Sequence, residues 1–447
     1  MAARHVLVVG AGAAGLTAAI RAGQSGARVT LLNAHPRVGL KILMSGGTRC
    51  NVTHREVTER DFHGGSPNVV RRVLRAFTAD QTVDWFRNQL GVPLKLEETG
   101  KYFPESDDAQ TVLDALIAAA GRAGVTLESG ARVVRLERGT SGGWRAGIQR
   151  VSGSAEFGEG VAKAGETAWP LPAVETSEWL DADAVVLATG GLSFPRTGSD
   201  GTGYALALSL GHTLVPPVPA LTPLVAVDPL CRAAQGVTLD AELALWVDGR
   251  VEVRVTGSLL FAHFGLTGPA ALDLSRHWHL AEGHARRVTL SFAPGRSYEA
   301  LEREWVSYAA EHPRRGARAW LGERLPERIA DILTAESGIG GAAMSQVPRA
   351  RRAPLLHGLV ERDVGVTGTL GYEKAEVTAG GVPLSEVDPS TLESRVAPGL
   401  YLCGEILDVE GRLGGFNFQW SWSSGTVAGR AAGRSAGDVV EYDVTTR

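Results

Sequence analysis

The chain of 447 residues has only three cysteines, Cys50, Cys231 and Cys403, which are too few and too scattered for a disulfide framework or a zinc site. It has no Cys-x-x-Cys pair, which a dithiol redox centre needs. No apolar run approaches the roughly 18 residues of a membrane span. Basic residues number 45 against 49 acidic ones, so the charge balance does not favour nucleic acid as a partner. We therefore expect a cytoplasmic protein without a membrane span and without a bound metal.

Glycine, by contrast, is abundant, and its 56 residues are concentrated in short segments. The first, Val6 to Gly15, reads Val-Leu-Val-Val-Gly-Ala-Gly-Ala-Ala-Gly. A hydrophobic strand that enters Gly-x-Gly-x-x-Gly and continues as a helix is typical of a dinucleotide site, because the backbone can approach the pyrophosphate closely. The helix N-terminus also favours the negative charge. The predicted contacts are Gly10, Gly12, Ala13, Ala14 and Gly15.

A second glycine-rich region lies near the other end of the chain. Residues 399–408 read Gly-Leu-Tyr-Leu-Cys-Gly-Glu-Ile-Leu-Asp, and residues 414–420 read Gly-Gly-Phe-Asn-Phe-Gln-Trp. A C-terminal strand with a Gly-Glu pair and a glycine-rich helix start is typical of flavoproteins, whose isoalloxazine ring needs a wall beyond the pyrophosphate. The pattern therefore predicts FAD as the dinucleotide. The predicted contacts are Gly404, Glu405, Asp408, Gly414, Gly415, Phe416 and Asn417.

Polar and small residues follow the second predicted strand, Arg28–Leu32. Asn33 stands where an acidic residue usually binds the ribose hydroxyls, and an amide can still accept one hydrogen bond and donate another. Residues 41–51 are predicted to form a loop whose small residues let backbone N–H groups reach a ligand, while Arg49 supplies a cation for phosphate or reduced flavin. The predicted contacts are Lys41, Ser45, Gly46, Gly47, Arg49, Cys50 and Asn51.

Two further predicted strands complete the cofactor prediction. Residues 184–191 read Ala-Val-Val-Leu-Ala-Thr-Gly-Gly, a buried strand that ends in a second backbone approach to the cofactor. The other strand covers residues 131–137. The predicted contacts are Thr189, Gly190 and Gly191 on the first strand, and Arg132 and Val133 on the second.

The candidates for catalysis are His263, Arg49 and Cys50. His263 is a lone histidine in the glycine-punctuated segment 261–268, where it either faces a substrate or is an ordinary partly buried side chain. Cys50 is either a packing or cofactor-contact residue, or it takes part in chemistry directly. The absence of a second cysteine nearby favours contact.

The order of predicted elements divides the chain into three parts. The start is β-α-β, and the apolar spacing across 67–90 predicts a helix. Short β-like runs occur from about 221 to 293, and a helical stretch rich in arginine covers about 298–360. We predict an α/β, Rossmann-like FAD-binding domain split over 1–193 and 367–447, an inserted β-rich substrate domain over 194–296, and a helical subdomain over 297–366.

In these motifs the chain resembles the bacterial aminoacetone-oxidase-type, BaiN-like NAD(P)/FAD-dependent oxidoreductases. The matching pieces span nearly the whole chain, and Ser-Gly-Gly-Thr-Arg-Cys-Asn at 45–51 is the most specific. The resemblance implies a β-barrel-like form for the inserted domain, and FAD contacts at segment 41–51 and at the C-terminal motifs. The chain departs from the family at Asn33, where Glu is usual, and at Thr48, where a third glycine is common.

These observations predict an FAD-dependent oxidoreductase that transfers a hydride between flavin N5 and a small organic substrate. No second Gly-x-Gly-x-x-Gly lies on a strand-to-helix turn, so NAD(P)H, if it is the donor, would dock transiently in the substrate cleft. Two alternatives stay open: a tRNA-modifying flavoprotein and a non-catalytic flavin-binding sensor. The sequence fixes neither the substrate nor the oligomeric state.

Overall fold

The computed structural model describes residues 3–434, except residue 141 and the segments 154–168 and 170–174. The chain divides into two compact units. Unit 1 comprises residues 1–218 and 376–447, and unit 2 comprises residues 219–375. The boundaries predicted from the sequence for the inserted part lie at 193/194 and 366/367.

The strands, in chain order, are β1 His5–Val9, β2 Arg28–Asn33, β3 Thr53–His54, β4 Phe62–Gly64, β5 Leu94–Leu96, β6 Lys101–Pro104, β7 Val125–Ser129, β8 Ala131–Arg138, β9 Trp144–Arg150, β10 Glu178–Ala182, β11 Ala184–Leu187, β12 Val215–Ala220, β13 Leu224–Ala226, β14 Thr238–Val247, β15 Arg250–Ala262, β16 Gly265–Thr267, β17 Arg286–Ser291, β18 Arg362–Asp363, β19 Val366–Thr369, β20 Val377–Gly381, β21 Leu400–Leu402 and β22 Val409–Gly411.

The α-helices are α1 Ala13–Gln24, α2 Leu40–Thr48, α3 Pro67–Ala76, α4 Ala79–Asp84, α5 Ala109–Arg122, α6 Thr202–Ser209, α7 Pro229–Ala233, α8 Pro269–Leu280, α9 Tyr298–Glu311, α10 Ala317–Gly322, α11 Glu327–Ser337, α12 Arg349–Val360 and α13 Phe416–Gly433. In the part of the chain that the structure describes, no helix is both long enough and apolar enough to cross a membrane.

The central sheet of unit 1 is parallel, in the order β21-β11-β1-β2-β7. All five residues of β1 are buried, as expected for a parallel strand covered on both faces. The carboxyl ends of parallel strands share one edge, so the turns after β1, β11 and β21 lie side by side. Because β21 comes from the C-terminal segment, the predicted split Rossmann-like fold is confirmed.

Helix α13 lies against α1 at backbone distance. A Cβ added to Gly429 would be 2.3 Å from the Ala18 carbonyl oxygen. Gly425 and Gly433 lie four residues to either side, and a Cβ on them would be 2.5 Å and 2.8 Å from carbonyl oxygens of α1. Residues four apart share a helix face, so this glycine stripe lets the last helix cover the first.

Unit 2 contains a seven-stranded sheet in the order β18-β17-β14-β15-β16-β13-β19. Its end strands β18 and β19 are consecutive in the chain and separated only by Val364 and Gly365. One continuous segment therefore pairs with β17 at one end and with β13 at the other, and the sheet closes on itself. This closure is the barrel-like form that the resemblance implies. The sheet and the helices α8 to α12 share one apolar core that includes Trp305 and Trp320.

Candidate active site

The turn from β1 to α1 has the geometry of a pyrophosphate site. Gly10 adopts φ +102°, and a Cβ on Gly15 would lie 1.8 Å from the Gly10 carbonyl oxygen, so both positions require glycine. Gly12 caps α1, and a Cβ there would meet nothing within 4 Å. The first turn of α1 has no acidic residue and no side-chain cap, so no side chain of the protein caps its first N–H groups, which include those of Ala13 and Ala14. The arrangement suits an anion.

Asn33 ends β2, and its side chain has other partners besides any ribose. Its Oδ1 accepts a hydrogen bond from Ala11 N at 3.1 Å, while Nδ2 donates to the carbonyl oxygens of His35 and Arg37 at 2.6 and 3.2 Å. The amide thus ties the glycine turn to the next loop. Both amide hydrogens are used, so a ribose contact is left only the second lone pair of Oδ1.

Lys41 and Glu405 form an ion pair where the turns after β11 and β21 meet. Lys41 Nζ lies 2.6 Å from Glu405 Oε2 and 2.9 Å from Ser193 Oγ. Glu405 Oε1 accepts hydrogen bonds from Ser193 Oγ at 2.7 Å and from Thr378 N at 2.9 Å. The structure therefore unites two predicted residues that are 364 positions apart. Neither Ser193 nor Thr378 was predicted from the sequence to be a site residue.

Segment 41–51 was predicted to be a loop and instead begins as α2. Leu40 to Met44 supply an ordinary helical turn, and the helix breaks at Ser45 because its ψ is 150°. Gly46, Gly47 and Thr48 then follow with positive φ of 57°, 66° and 69°. A Cβ on Gly47 would meet nothing within 4 Å, so the backbone here borders open space, as a ligand-contacting turn requires.

Arg49 and Cys50 differ sharply in exposure. Arg49 stacks over the Phe103 ring at 4.0 Å and pairs with Glu97 at 2.8 Å, so its charge is already engaged by protein groups. Cys50 is completely buried, and burial raises the pKa of its thiol to about 12, although a hydrogen bond with Ser45 opposes the shift. A thiol with this pKa is protonated at neutral pH and cannot act as a nucleophile.

The C-terminal motifs bring their glycines to the same edge of the sheet. Gly404 begins a 3-10 turn, and a Cβ on it would lie 2.7 Å from Ala14 Cβ. Gly414 and Gly415 have φ of 137° and 94° and lead into α13. Phe416 is buried and stacks on His54 at 4.9 Å. Gly404 therefore lies beside the start of α1, and Gly414, Gly415 and Phe416 lie at the start of α13.

Two predicted contacts are occupied by local structure. Asn417 accepts a hydrogen bond from Gly411 N and donates one to Gly411 O, both at 2.8 Å, so its amide braces the loop before α13. The main chain of Asp408 accepts from Gly65 N and donates to Val382 O, each at 2.8 Å.

The predicted contacts on β8 and after β11 also lie in unit 1. Arg132 pairs with Asp200 at 2.7 Å, and Val133 is buried. Gly190 has φ +75°, and a Cβ there would lie 2.6 Å from Ser199 Oγ and 3.5 Å from Lys41 Nζ. A side chain on Gly191 would strike Thr378, and the Thr189 side chain packs against α6.

His263 lies in unit 2, at the turn between β15 and β16. Its side chain is exposed, not partly buried, and its ring meets Phe264 edge-on at 5.1 Å. The other predicted site residues all belong to unit 1. The catalytic role of His263 stays a prediction. No group of three or more His, Cys, Asp or Glu side chains suited to a metal occurs among the described residues.

The arrangement in unit 1 fits a flavin dinucleotide. The open space at Gly12 and the uncapped start of α1 suit a pyrophosphate. The Asn51 Oδ1 atom is buried and has no hydrogen-bond partner, and a Cβ on Gly415 would lie 2.7 Å from it. A buried acceptor without a partner is costly unless a ligand N–H satisfies it, and a flavin carries one at N3. Fold and site together define a Rossmann-type flavoprotein.

Comparison with protein families identifies the chain further. The family described as "HI0933-like protein Rossmann domain" matches residues 4–431. The chain belongs to this family, and it is an FAD-dependent oxidoreductase. The resemblance inferred from the motifs is thereby confirmed, and the alternative of a non-catalytic flavin sensor is discarded.

Two curated relatives align over almost their full length. The 3-dehydro-bile acid delta(4,6)-reductase of Clostridium scindens is 35% identical, covering 95% of this chain and 98% of the relative. The ribosomal RNA dihydrouridine synthase of Escherichia coli is 32% identical, covering 94% and 95%. Among solved structures, the 3-ketosteroid-delta4-(5alpha)-dehydrogenase of Rhodococcus jostii is 14% identical with a TM-score of 0.46, and 97% of each chain is covered.

Proposed function

We propose that the protein is an FAD-dependent reductase that delivers a hydride to a carbon–carbon double bond conjugated with a carbonyl group, in a small organic molecule. The observation that carries the proposal is the chemistry shared by the two relatives' names. A 3-dehydro, delta(4,6) steroid has a C3 carbonyl conjugated with its double bonds. Dihydrouridine is uridine whose ring double bond, also conjugated with a carbonyl, has been reduced. The substrates differ greatly in size, but the bond that is reduced belongs to one class.

The side chains of unit 1 have defined tasks in this proposal. The start of α1 would hold the pyrophosphate, and the Lys41–Glu405 pair would fix the neighbouring turns after β11 and β21. The N-terminus of α13 would stabilise negative charge that develops beside it. Bound FAD supplies hydride transfer at N5.

The charge distribution in unit 2 favours a small substrate over RNA. The arginines between 314 and 352 could form a nucleic-acid patch, but several of them pair with carboxylates within the protein. Arg315 pairs with Glu323 at 2.8 Å, and Arg318 pairs with Asp331. Arg349 and Arg352 both contact Glu302, at 3.3 and 3.2 Å. Paired arginines offer little net charge to a phosphate backbone.

An anaerobic reoxidation assay tests the proposal. The holoenzyme is first reduced with NADPH or NADH, which also tests the proposed transient donor, and is then mixed with 2-cyclohexenone or a 3-keto-delta4 steroid. The expected result is return of the oxidised flavin spectrum and formation of the saturated ketone. Cyclohexanone and cyclohexene are matched controls, because each carries only one of the two groups. Equal reoxidation by the controls, or none by either enone, would contradict the proposal.

RNA is the second candidate substrate, because one full-length relative is named for ribosomal RNA. The same assay with ribosomal RNA, followed by nucleoside analysis for dihydrouridine, separates the two. Dihydrouridine formation without turnover of either enone would assign the protein to RNA.

A further inference from the structure

The space at the start of α13 contains an acceptor that no protein group satisfies. Asn51 is 8% exposed, and its Oδ1 has no hydrogen-bond partner. This oxygen points to the N-cap residue Gly415, because a Cβ there would lie 2.7 Å from it. The oxygen therefore requires an N–H group that the chain itself does not supply.

A lysine borders the same space. Lys101 begins β6 and is half-buried, and its Cε would lie 3.7 Å from a Cβ on Gly414. Within the described residues its ammonium group makes no hydrogen bond or ion pair. Two charged residues on neighbouring segments are engaged elsewhere: Arg412 pairs with Asp61 at 2.9 Å, and Glu97 pairs with Arg49. The Lys101 charge is therefore available to a ligand.

The helix start adds donors to this cation. Helix α13 is 18 residues long, its N-cap Gly415 offers no side-chain cap, and its first turn holds no acidic residue. Asn417 does not cap it either, because both of its amide atoms bind Gly411. The first N–H groups of α13 and the ammonium of Lys101 thus favour negative charge at one place.

The Asn51 oxygen is an acceptor, and Lys101 and the first N–H groups of α13 are a cation and donors beside it. Together they are complementary to a ligand edge that has an N–H group next to a carbonyl that gains negative charge. The pyrimidine edge of a flavin has this pattern, with N3–H beside the C2 carbonyl and N1, where the charge of the reduced ring resides. We propose that Asn51 binds this N–H and that Lys101, with the start of α13, binds the C2 carbonyl and N1. Lys101 thereby favours reduced over oxidised FAD. The inference rests on FAD as the cofactor, not on the identity of the substrate.

The test measures the reduction potential of bound FAD by dye equilibration, together with the dissociation constant of oxidised FAD. Lys101→Met should weaken the preference for the reduced form about tenfold, which for a two-electron couple lowers the midpoint potential by about 30 mV. Binding of oxidised FAD should change far less. Lys101→Arg keeps the charge and should restore most of the shift. Lys95→Met is the matched control, because it removes an equal charge from the adjacent strand, where Lys95 pairs with Asp107.

An unchanged potential in Lys101→Met with FAD fully bound would overturn the inference, and so would equal losses of affinity for both redox states. Asn51→Ala supplies a second, independent variant. It removes the acceptor without changing charge, so it should weaken oxidised and reduced FAD alike. Unchanged affinity in Asn51→Ala would overturn the assignment of N3–H. None of these measurements needs a substrate, so a failed reoxidation assay leaves them interpretable.

Discussion

Cys50 lies inside the most family-specific motif, yet its environment opposes redox chemistry. Burial raises its pKa to about 12, so less than about a thousandth of the thiol is ionised near pH 8. We expect iodoacetamide to leave Cys50 unlabelled in the native protein, as judged by peptide mass spectrometry. Cys50→Ser should retain flavin reduction within about threefold, since no step needs the thiolate. Rapid labelling, or loss of reduction with FAD retained, would contradict this.

Thr48 has a backbone conformation that suits glycine. Its φ of 69° is unfavourable for a β-branched residue, and its side chain is exposed. Thr48→Gly should therefore raise the free energy of unfolding by about 1 kcal/mol, measured by urea denaturation. Thr58→Gly is the matched control. Thr58 has an ordinary φ of −129° and caps a short helix, so its replacement by glycine should lower the free energy of unfolding of the protein. Equal effects at both positions would show that Thr48 is unstrained.

A buried histidine links the segments before β12 and before β21. His212 Nδ1 lies 2.6 Å from Glu386, and Nε2 lies 2.8 Å from Ser394 Oγ, which also accepts from Ala397 N at 2.7 Å. Ser–His–Glu contacts suggest a hydrolase triad, but all three side chains are largely buried and the serine oxygen is saturated. The cluster is therefore structural.

The Glu386 carboxylate gives this cluster a pH dependence. Burial alone would raise its pKa, but hydrogen bonds from Thr213 and His212 outweigh burial and lower the pKa below its ordinary 4.5. Its stabilisation is thus complete above about pH 4.5 and is lost as pH falls through the lower native value. Glu386→Gln should cost about 1–3 kcal/mol at neutral pH. The difference in melting temperature from the wild type should narrow below about pH 4.5. A constant difference down to acid unfolding would contradict this.

The sequence indicates which backbone segments form the candidate site. It does not indicate which hydrogen-bond partners the polar side chains of these segments have. The glycines follow from backbone geometry, so a motif identifies them. Asn33 and Asn417 look like ligand contacts, but their amides bind nearby backbone groups, and such local competition is invisible without coordinates. Lys101 was only a weak candidate for a catalytic or substrate role in the sequence, and its place beside the start of α13 is visible only in the structure.

At the scale of elements, two glycines of the β1–α1 turn have different tasks. Gly12 leaves room for a ligand, whereas Gly15 is needed for the fold. Ala at position 12 meets no atom within 4 Å and keeps an allowed φ of −84°, so Gly12→Ala should fold normally but block the pyrophosphate. Ala at position 15 would strike the Gly10 carbonyl oxygen, so Gly15→Ala should destabilise the fold itself by about 2–4 kcal/mol. Melting without added FAD, compared with FAD titration, distinguishes the two. Equal melting temperatures of the two variants would contradict this reading.

Strands and helices with a clear apolar periodicity were predictable from the sequence. The positions at which a helix is interrupted were not. Strand β1 and helix α1 follow the sequence pattern closely. The helix predicted over 67–90 is instead α3, α4 and a π-helical turn at Trp85–Gln89, because Thr78 caps a new helix with Gln81. The interruption of α2 depends on positive φ at successive residues, which apolar spacing cannot reveal.

At the scale of the whole molecule, we expect unit 2 to fold as an independent domain. Its closed sheet and helices share a core of their own. We expect the fragment Pro219–Ala375 to be folded, with cooperative thermal unfolding and dispersed amide resonances, and to bind no FAD. Unit 1 residues expressed without 376–447 provide the contrasting case, because they lack β21 and α13. A fragment of unit 2 without a cooperative transition would contradict the prediction.

Sequence composition indicated an insertion but not its exact limits. The change from strand–helix alternation to short β runs is visible near residue 221, close to the observed start of unit 2. The closure of the sheet through Arg362–Thr369 is not visible in the sequence, because it depends on one short segment pairing at both of its ends.

The glycine stripe of α13 also bears on how the chain is made. The face of α1 that it covers is synthesised long before Gly425, Gly429 and Gly433. Until the segment 400–433 has been made, α1 therefore lacks its partner and β11 lacks its neighbour β21. Unit 2, encoded in the middle, can complete its own core in the meantime. We therefore expect a nascent chain halted before residue 400 to expose the apolar residues of α1 that α13 covers in the folded protein.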